Sequence, residues 1–155
     1  MNLTPAVDEG PYYKNGSPAN SLLAQKGVPG EKMVLSGLVL NAQGKPLAGA
    51  WLDFWQADGE GHYDNAGFIL RGHQFADLEG RYRLETVLPG SYPGRTPHIH
   101  VKVRAGPESP VFTTQLFIPG LPSNRTDFLY RDELQMEIKD TPAGKSARFD
   151  FRIAG

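Results

Sequence analysis

The chain predicts an all-β fold, a β-sandwich of mainly antiparallel strands with long loops and an extended N-terminal arm. Three observations carry that expectation. Glycine (18) and proline (13) punctuate the 155 residues at short intervals, which leaves little room for long helices. Several short runs alternate apolar and polar residues with the period of a half-buried strand. Turn formers separate those runs at the spacing of a sandwich. A length of 155 residues is that of one domain with material for a real core, so residues 1–155 are read as a single domain.

The elements follow in order. Residues 1–30 are rich in turn formers and read as the arm, with at most one helical turn near 20–25. Residues 33–40 form a strand closed by a turn at 41–46. In the next strand, 50–56, Ala50, Leu52 and Phe54 share one face, and Trp51, Asp53 and Trp55 the other. Residues 57–79 are a long connection, of a length that is usually functional or disordered. Residues 81–87 alternate again until Pro89-Gly90 ends them. From His98 the chain reads His-Ile-His-Val-Lys-Val-Arg, with Ile99, Val101 and Val103 on one side and His98 and His100 on the other. A strand at 113–118, a short helix over 127–135 and a strictly alternating strand at 147–153 complete the set. There is no internal repeat.

Composition removes several functions. A net charge of -1 and a pI near 6.4 give no basic footprint for nucleic acid or anionic lipid. No run of eighteen apolar residues is present, so no membrane span is expected. The first residues lack a basic stretch followed by an apolar one, which favours a cytoplasmic protein, although a secreted form with its leader removed would read the same. Zero cysteines exclude disulfides, thiolate metal sites and a cysteine nucleophile. The sequons at Asn2, Asn15 and Asn124 read as chance matches. Gly59-Glu-Gly61 lacks a third glycine, with Asp64 in its place, so no dinucleotide site is implied. His62, His73 and the carboxylates Asp58, Glu60, Asp64, Asp77 and Glu79 read as solvated or turn-capping groups.

The stretch from Tyr92 to His100 carries the chemistry. Two residues two apart on a strand lie roughly 6.6 Å apart on one face, so both imidazoles can lean onto one ion at bonds of about 2 Å. Tyr63 and Tyr92 occupy the loops that flank this strand. Together they give a two-His, two-Tyr set. Phenolate is a hard anionic ligand and favours a hard cation such as Fe(III). Ionising a phenol at pH 7 costs roughly 4 kcal/mol, which a trivalent ion can offset.

These residues resemble the intradiol ring-cleavage dioxygenases, the non-haem iron(III) enzymes that include catechol 1,2- and protocatechuate 3,4-dioxygenases. The resemblance covers most of the chain. It rests on Gly37-x-Val39 with Gly44-x-Pro46-Leu-x-Gly-Ala50, on Trp55-Gln-Ala-Asp58 through Gly61-x-Tyr63, and on Gly80-Arg-Tyr-Arg-Leu-Glu-Thr86. Pro89-Gly-x-Tyr92-Pro93, Arg95-x-Pro-His98-Ile-His100, Thr114-Gln115 and Phe149-Asp-Phe151 complete it. Glu9-Gly-Pro-Tyr-Tyr13 is similar to the arm that reaches the active-site mouth in the protocatechuate branch. The resemblance implies one non-haem Fe(III) per chain, held by Tyr63, Tyr92, His98 and His100. Tyr63 and His98 would be equatorial ligands, Tyr92 and His100 axial. It implies that a catecholic substrate is cleaved by O2 between its hydroxyl-bearing carbons to a cis,cis-muconate-type diacid. Tyr92 would release the metal and act as a base, and Arg95 would stabilise charge on the substrate carbon that meets oxygen. Tyr12, Trp55 and Gln115 are the expected substrate-pocket residues. Arg71, Arg104 and Arg125 are the open choices for a cation facing a substrate carboxylate. Gly94 stands where some relatives carry a bulky aromatic, which predicts a more open pocket. A homo-oligomer is compatible with the sequence. The rival reading is a non-catalytic β-sandwich binding module, which would be expected to have lost one or more of the four ligands.

Overall fold

A computed structural model describes residues 2–155. It contains nine strands and, among the described residues, no α-helix. These are β1 (Lys32–Leu40), β2 (Trp51–Gln56), β3 (Arg71–Phe75), β4 (Arg81–Val87), β5 (His98–Arg104), β6 (Phe112–Phe117), β7 (Glu137–Thr141), β8 (Gly144–Arg148) and β9 (Phe151–Arg152). One sheet runs β4-β1-β8-β7 with β9 also on β1, and the other runs β3-β2-β5-β6. Pairing is antiparallel except where β8 and β9 lie parallel to β1. The β-sandwich read from the sequence is the observed fold.

The inner faces meet in one apolar core. Met33, Leu35, Val39, Leu84 and Phe151 come from the first sheet, and Leu52, Phe54, Ile99, Val101, Val103 and Leu116 from the second. All alternate along their strands, as the pleat requires. Tyr82 brings a hydroxyl into this core and satisfies it by donating to the Phe149 carbonyl at 2.7 Å.

Several expected elements differ. Within the supposed connection 57–79 lies β3, paired with β2 from Trp55↔Arg71 to Trp51↔Phe75. Its Arg-Gly-His-Gln-Phe sequence hides the strand because little of it faces the apolar core. The closing strand 147–153 is split, because the Asp150 carboxylate accepts the Leu38 N–H at 2.9 Å and interrupts the ladder between β8 and β9. β7 had not been expected. The helix over 127–135 is not formed. Two 3-10 turns, Pro122–Thr126 and Asp132–Leu134, stand in this part of the chain, and Asp127 turns its carboxylate to other partners. The helical turn at 20–25 is absent too, since this segment runs extended beside β4, with Leu23 and Ala24 both donating to the Glu85 carbonyl.

Residues 2–24 form no regular element but are fastened to the sandwich, with residues 5–20 lying along the second sheet. Thr4 N–H donates to the Arg152 carbonyl at 2.9 Å, Val7 N–H to Thr113 at 3.1 Å and Asn20 N–H to His73 at 3.0 Å. A Cβ on Gly72 would stand 2.3 Å from the Asn20 carbonyl oxygen, so only glycine lets the arm lie this close to β3. The arm therefore roofs the outer face of this sheet. That roof explains why Asp53, Arg71, His98, His100 and Gln115 are all buried.

Candidate active site

Strand register assembles the site. Arg71 on β3, Trp55 on β2, His100 on β5 and Gln115 on β6 are successive partners, so they form one row across the sheet. His98 lies two residues along β5 on the same face. The loops after β2 and β4 bring Tyr63 and Tyr92 over that row.

The four donor groups converge. Tyr63 Oη lies 2.9 Å from His100 Nε2 and 3.4 Å from His98 Nε2, Tyr92 Oη is 3.3 Å from His98 Nε2, and the two Nε2 atoms are 3.0 Å apart. Metal–ligand bonds of about 2.0–2.2 Å put neighbouring donors roughly 2.9–3.6 Å apart, so this spacing suits one shared ion. His98 Nδ1 meets the Thr96 carbonyl at 2.7 Å, where it can only donate, so its Nε2 turns a lone pair to the centre. The Nδ1 of His100 is buried without a hydrogen-bond partner. Burial, and then the Arg95 charge, lower the pKa of His98 to about 4. Burial, His98, Arg95 and Arg71 push His100 well below its ordinary value. Both imidazoles are thus neutral and available as ligands at pH 7. Burial raises the Tyr63 phenol, as does its hydrogen bond with Tyr92, while Arg95 and Arg71 oppose the rise. The donor chemistry fits a hard cation that can supply the missing charge.

Arg95 sits beside this centre. Its Nε donates to Asp127 Oδ2 at 2.9 Å, one terminal nitrogen donates to Gln115 Oε1, and the other lies 3.5 Å from His98 Nε2. Asp127 also accepts the Thr96 and Leu129 N–H groups, at 2.8 Å each. Burial alone would raise the Asp127 pKa, but Arg95 and these two donors more than offset it, so the carboxyl lies below its ordinary value. Asp127 had been read only as a helix start. A lone acid in a turn-rich segment gives no sign that it will anchor an arginine thirty-two residues away.

Trp55 stacks on His100, with ring centroids 4.6 Å apart and planes 8° from parallel. Tyr12 stacks on Tyr63 at 4.4 Å and meets Tyr92 edge-on at 6.1 Å. The expected residues Tyr12, Trp55, Tyr63, Tyr92, Arg95, His98, His100 and Gln115 therefore all lie in one cluster. A cleft of about 410 Å³ opens beside Tyr92 and Arg95 and is bordered by Gly94, Thr96, Ser123 and Thr126. Nothing stands within 4 Å of where a Gly94 side chain would begin, in keeping with an open pocket.

Other candidates fall elsewhere. Asp58, Glu60 and His62 group closely enough to hold a cation, but Asp58 already accepts the Glu60 and His62 N–H groups, and the latter two side chains are exposed. His73, expected at the surface, is half-buried on β3, its Nδ1 2.9 Å from the Ser17 carbonyl. Asn124 is buried, its amide donating to the Ile118 carbonyl, so its sequon is closed to modification. Arg104 lies over the Trp51 ring and Arg125 is exposed. Arg71 is 1 % exposed and bonded to backbone, which leaves no face for a substrate carboxylate.

A family model described as "Dioxygenase" matches residues 8–155. The chain belongs to the intradiol dioxygenase family. Among curated family members, catechol 1,2-dioxygenase of Acinetobacter baylyi is 31 % identical over 83 % of this chain and 50 % of its own length. The protocatechuate 3,4-dioxygenase beta chain of Burkholderia cepacia is 30 % identical over 90 % of this chain and 66 % of its own. The chain thus spans about half to two thirds of the curated relatives it matches. Among solved structures, the dioxygenase domain of a dioxygenase–carbohydrate-binding protein fusion from Streptomyces sp. SirexAA-E is similar at 46 % identity and a TM-score of 0.95, covering 99 % of both chains. Hydroxyquinol 1,2-dioxygenase from Pseudomonas putida DLL-E4 is 26 % identical with a TM-score of 0.89, over all of this chain and 68 % of that one.

Proposed function

We propose that the protein is a non-haem Fe(III)-dependent intradiol dioxygenase. It cleaves a catechol-type diol between its hydroxyl-bearing carbons and incorporates both atoms of O2 to give a cis,cis-muconate-type diacid. The observation that carries this reading is the convergence of two phenols and two neutral imidazoles, with donor atoms 2.9–3.4 Å apart, beside a guanidinium. Family membership supports it. The binding-module alternative called for a degenerate ligand set, whereas this one is complete.

Tyr63, Tyr92, His98 and His100 would hold the ion. A ferric ion held there would supply Lewis acidity, drawing electron density from a catechol so that its ring could react with O2. The chain's own groups do the rest. Tyr92 lies on the loop that borders the open cleft, so its Oη would be the ligand oxygen placed to take a substrate proton. Arg95, fixed by Asp127 and Gln115, turns its guanidinium to developing negative charge. Trp55 and Tyr12 wall the site with apolar surface and exclude water.

Ferric reconstitution followed by a panel of catechols with product identification by mass spectrometry tests the proposal. The expected result is a red-brown protein whose visible absorption changes on anaerobic addition of catechol and whose product is the substrate plus two oxygen atoms. A protein that stays colourless and inactive after ferric reconstitution overturns it.

A further inference from the structure

One buried charge has no part in the chemistry above. Arg71 is 1 % exposed, and an interior guanidinium is costly unless its donors are met. Its hydrogen-bond partners are two backbone carbonyls and an amide. Nε donates to the Asp64 carbonyl at 3.0 Å, one terminal nitrogen to the Tyr12 carbonyl, and the other reaches Asn65 Oδ1 at 3.5 Å. Asp64 and Asn65 directly follow Tyr63, while Tyr12 belongs to the arm. The guanidinium also lies 5.9 Å from the centre of the Tyr63 ring. The residue before it, Leu70, is buried with φ at 57°. A bulky side chain in that region is strained and persists only when its surroundings hold it there.

The row across the sheet shows what Arg71 holds. At the β6 end, Gln115 Nε2 donates to the Asp8 carbonyl at 3.0 Å. In the middle, a side chain on Gly10 would begin 3.5 Å from His100 Cε1. At the β3 end, Arg71 takes the Tyr12 carbonyl. The arm thus crosses the strands over His100, with one fastening at each edge.

We propose that Arg71 is a positioning residue for the metal centre. With Gln115 it pins arm residues 8–12 across His100, and its fork ties that arm to the Tyr63 loop so that Tyr12 and Tyr63 stack. The inference rests on the ferric reading above, in which Tyr63 and His100 are ligands. Lysine cannot replace the fork, because a single ammonium lacks the planar set of donors that spans both segments.

The test compares Arg71→Met and Arg71→Lys with Asp53→Asn. Asp53 seats the arm through the Tyr13 and Ser17 hydroxyls at 2.9 and 2.7 Å but bonds nothing on the Tyr63 loop. In metal-free protein, chymotrypsin should cut after Tyr12 and Tyr13 about ten-fold faster in both Arg71 variants. In ferric-loaded protein, Arg71→Met should weaken iron binding about 10–100-fold and move the tyrosinate absorption band. Asp53→Asn should leave that band in place. If Arg71→Met does not fold, Arg71→Lys carries the same comparison. Wild-type cleavage rates at Tyr12 and Tyr13, or an unmoved band with unchanged iron affinity, overturn the inference. A wild-type protein that takes up no ferric ion overturns the function proposed above, while the cleavage rates still decide whether Arg71 pins the arm.

Discussion

The two sheets of the sandwich treat their outward residues in opposite ways. Along β1 every second residue is buried and the others are partly or fully exposed, so that sheet keeps one wet face. Along β2 and β5 nearly every residue is buried, polar ones included. The difference is the arm. One outer face meets solvent, and the other meets residues 5–20, so most of its polar groups pair with one another or with the arm in a dry layer. Dry polar groups are where imidazoles stay neutral and a guanidinium acts strongly on its neighbours. Substitutions should therefore divide by face, with the roofed face governing chemistry and the inner face governing stability.

The largest expected effect is on the roofed face. His98→Ala should lose ferric binding and reduce turnover at least about a thousand-fold, since it removes a proposed ligand whose ring also meets Arg95 and Tyr92. Its metal-free stability should change far less. Titration of the metal, visible absorption and a urea melt check the three parts. A variant that keeps wild-type iron affinity would break the division between faces.

The inner face should respond the other way. Phe54 is fully buried against Tyr82, with ring centroids 5.8 Å apart. Phe54→Ala should cost about 3–5 kcal/mol in a urea melt and leave the iron absorption of the folded fraction unchanged. Loss of colour from folded protein would show that the core, rather than the roof, sets the ligand geometry.

Acid should separate the faces as well. His98 has its pKa lowered to about 4, chiefly by burial, from an unfolded value near 6.5. Between those values the unfolded chain binds the proton more readily. Stability of the metal-free protein is then fully present above about pH 6.5 and falls as pH drops toward 4, by up to about 3 kcal/mol for this group. His98→Asn should flatten that slope in urea melts taken across the range. An unchanged slope would assign it to other groups.

How much of this was legible in sequence follows the same division. The strands at 81–87 and 98–104 could be read because one face of each meets an apolar core, and alternation records that contact. The His-x-His pair with Tyr63, Tyr92 and Arg95 could be read because unusual donors cluster in a few residues and match a specific motif. β3 could not, since Arg71 and His73 point to the arm, and a polar residue under a roof looks in sequence like one in water. Asp127 was missed for a related reason. Its partners, Arg95 and Thr96, lie about thirty residues back, and only the folded turns bring them together.

The smallest effect discriminates most finely, because the same kind of ion pair occurs on both outer faces. Arg83 and Glu85 on β4 approach to 3.0 Å with both side chains well exposed. Lys102 and Glu9 approach to 2.6 Å, but the lysine is 13 % exposed, hydrogen-bonded to Thr113 and set 4.6 Å over the Tyr13 ring. Water screens the first pair and ordering two long side chains cancels much of the gain, so Arg83→Ala should change stability by no more than about 0.5 kcal/mol. The second pair fastens the arm, and Lys102→Ala should cost about 1–2 kcal/mol through the lost hydrogen bond and cation–π contact. Urea melts in low and high salt decide it, with salt expected to erase the first effect and to leave most of the second. Equal costs for the two variants would mean that the arm does not dry the face it covers.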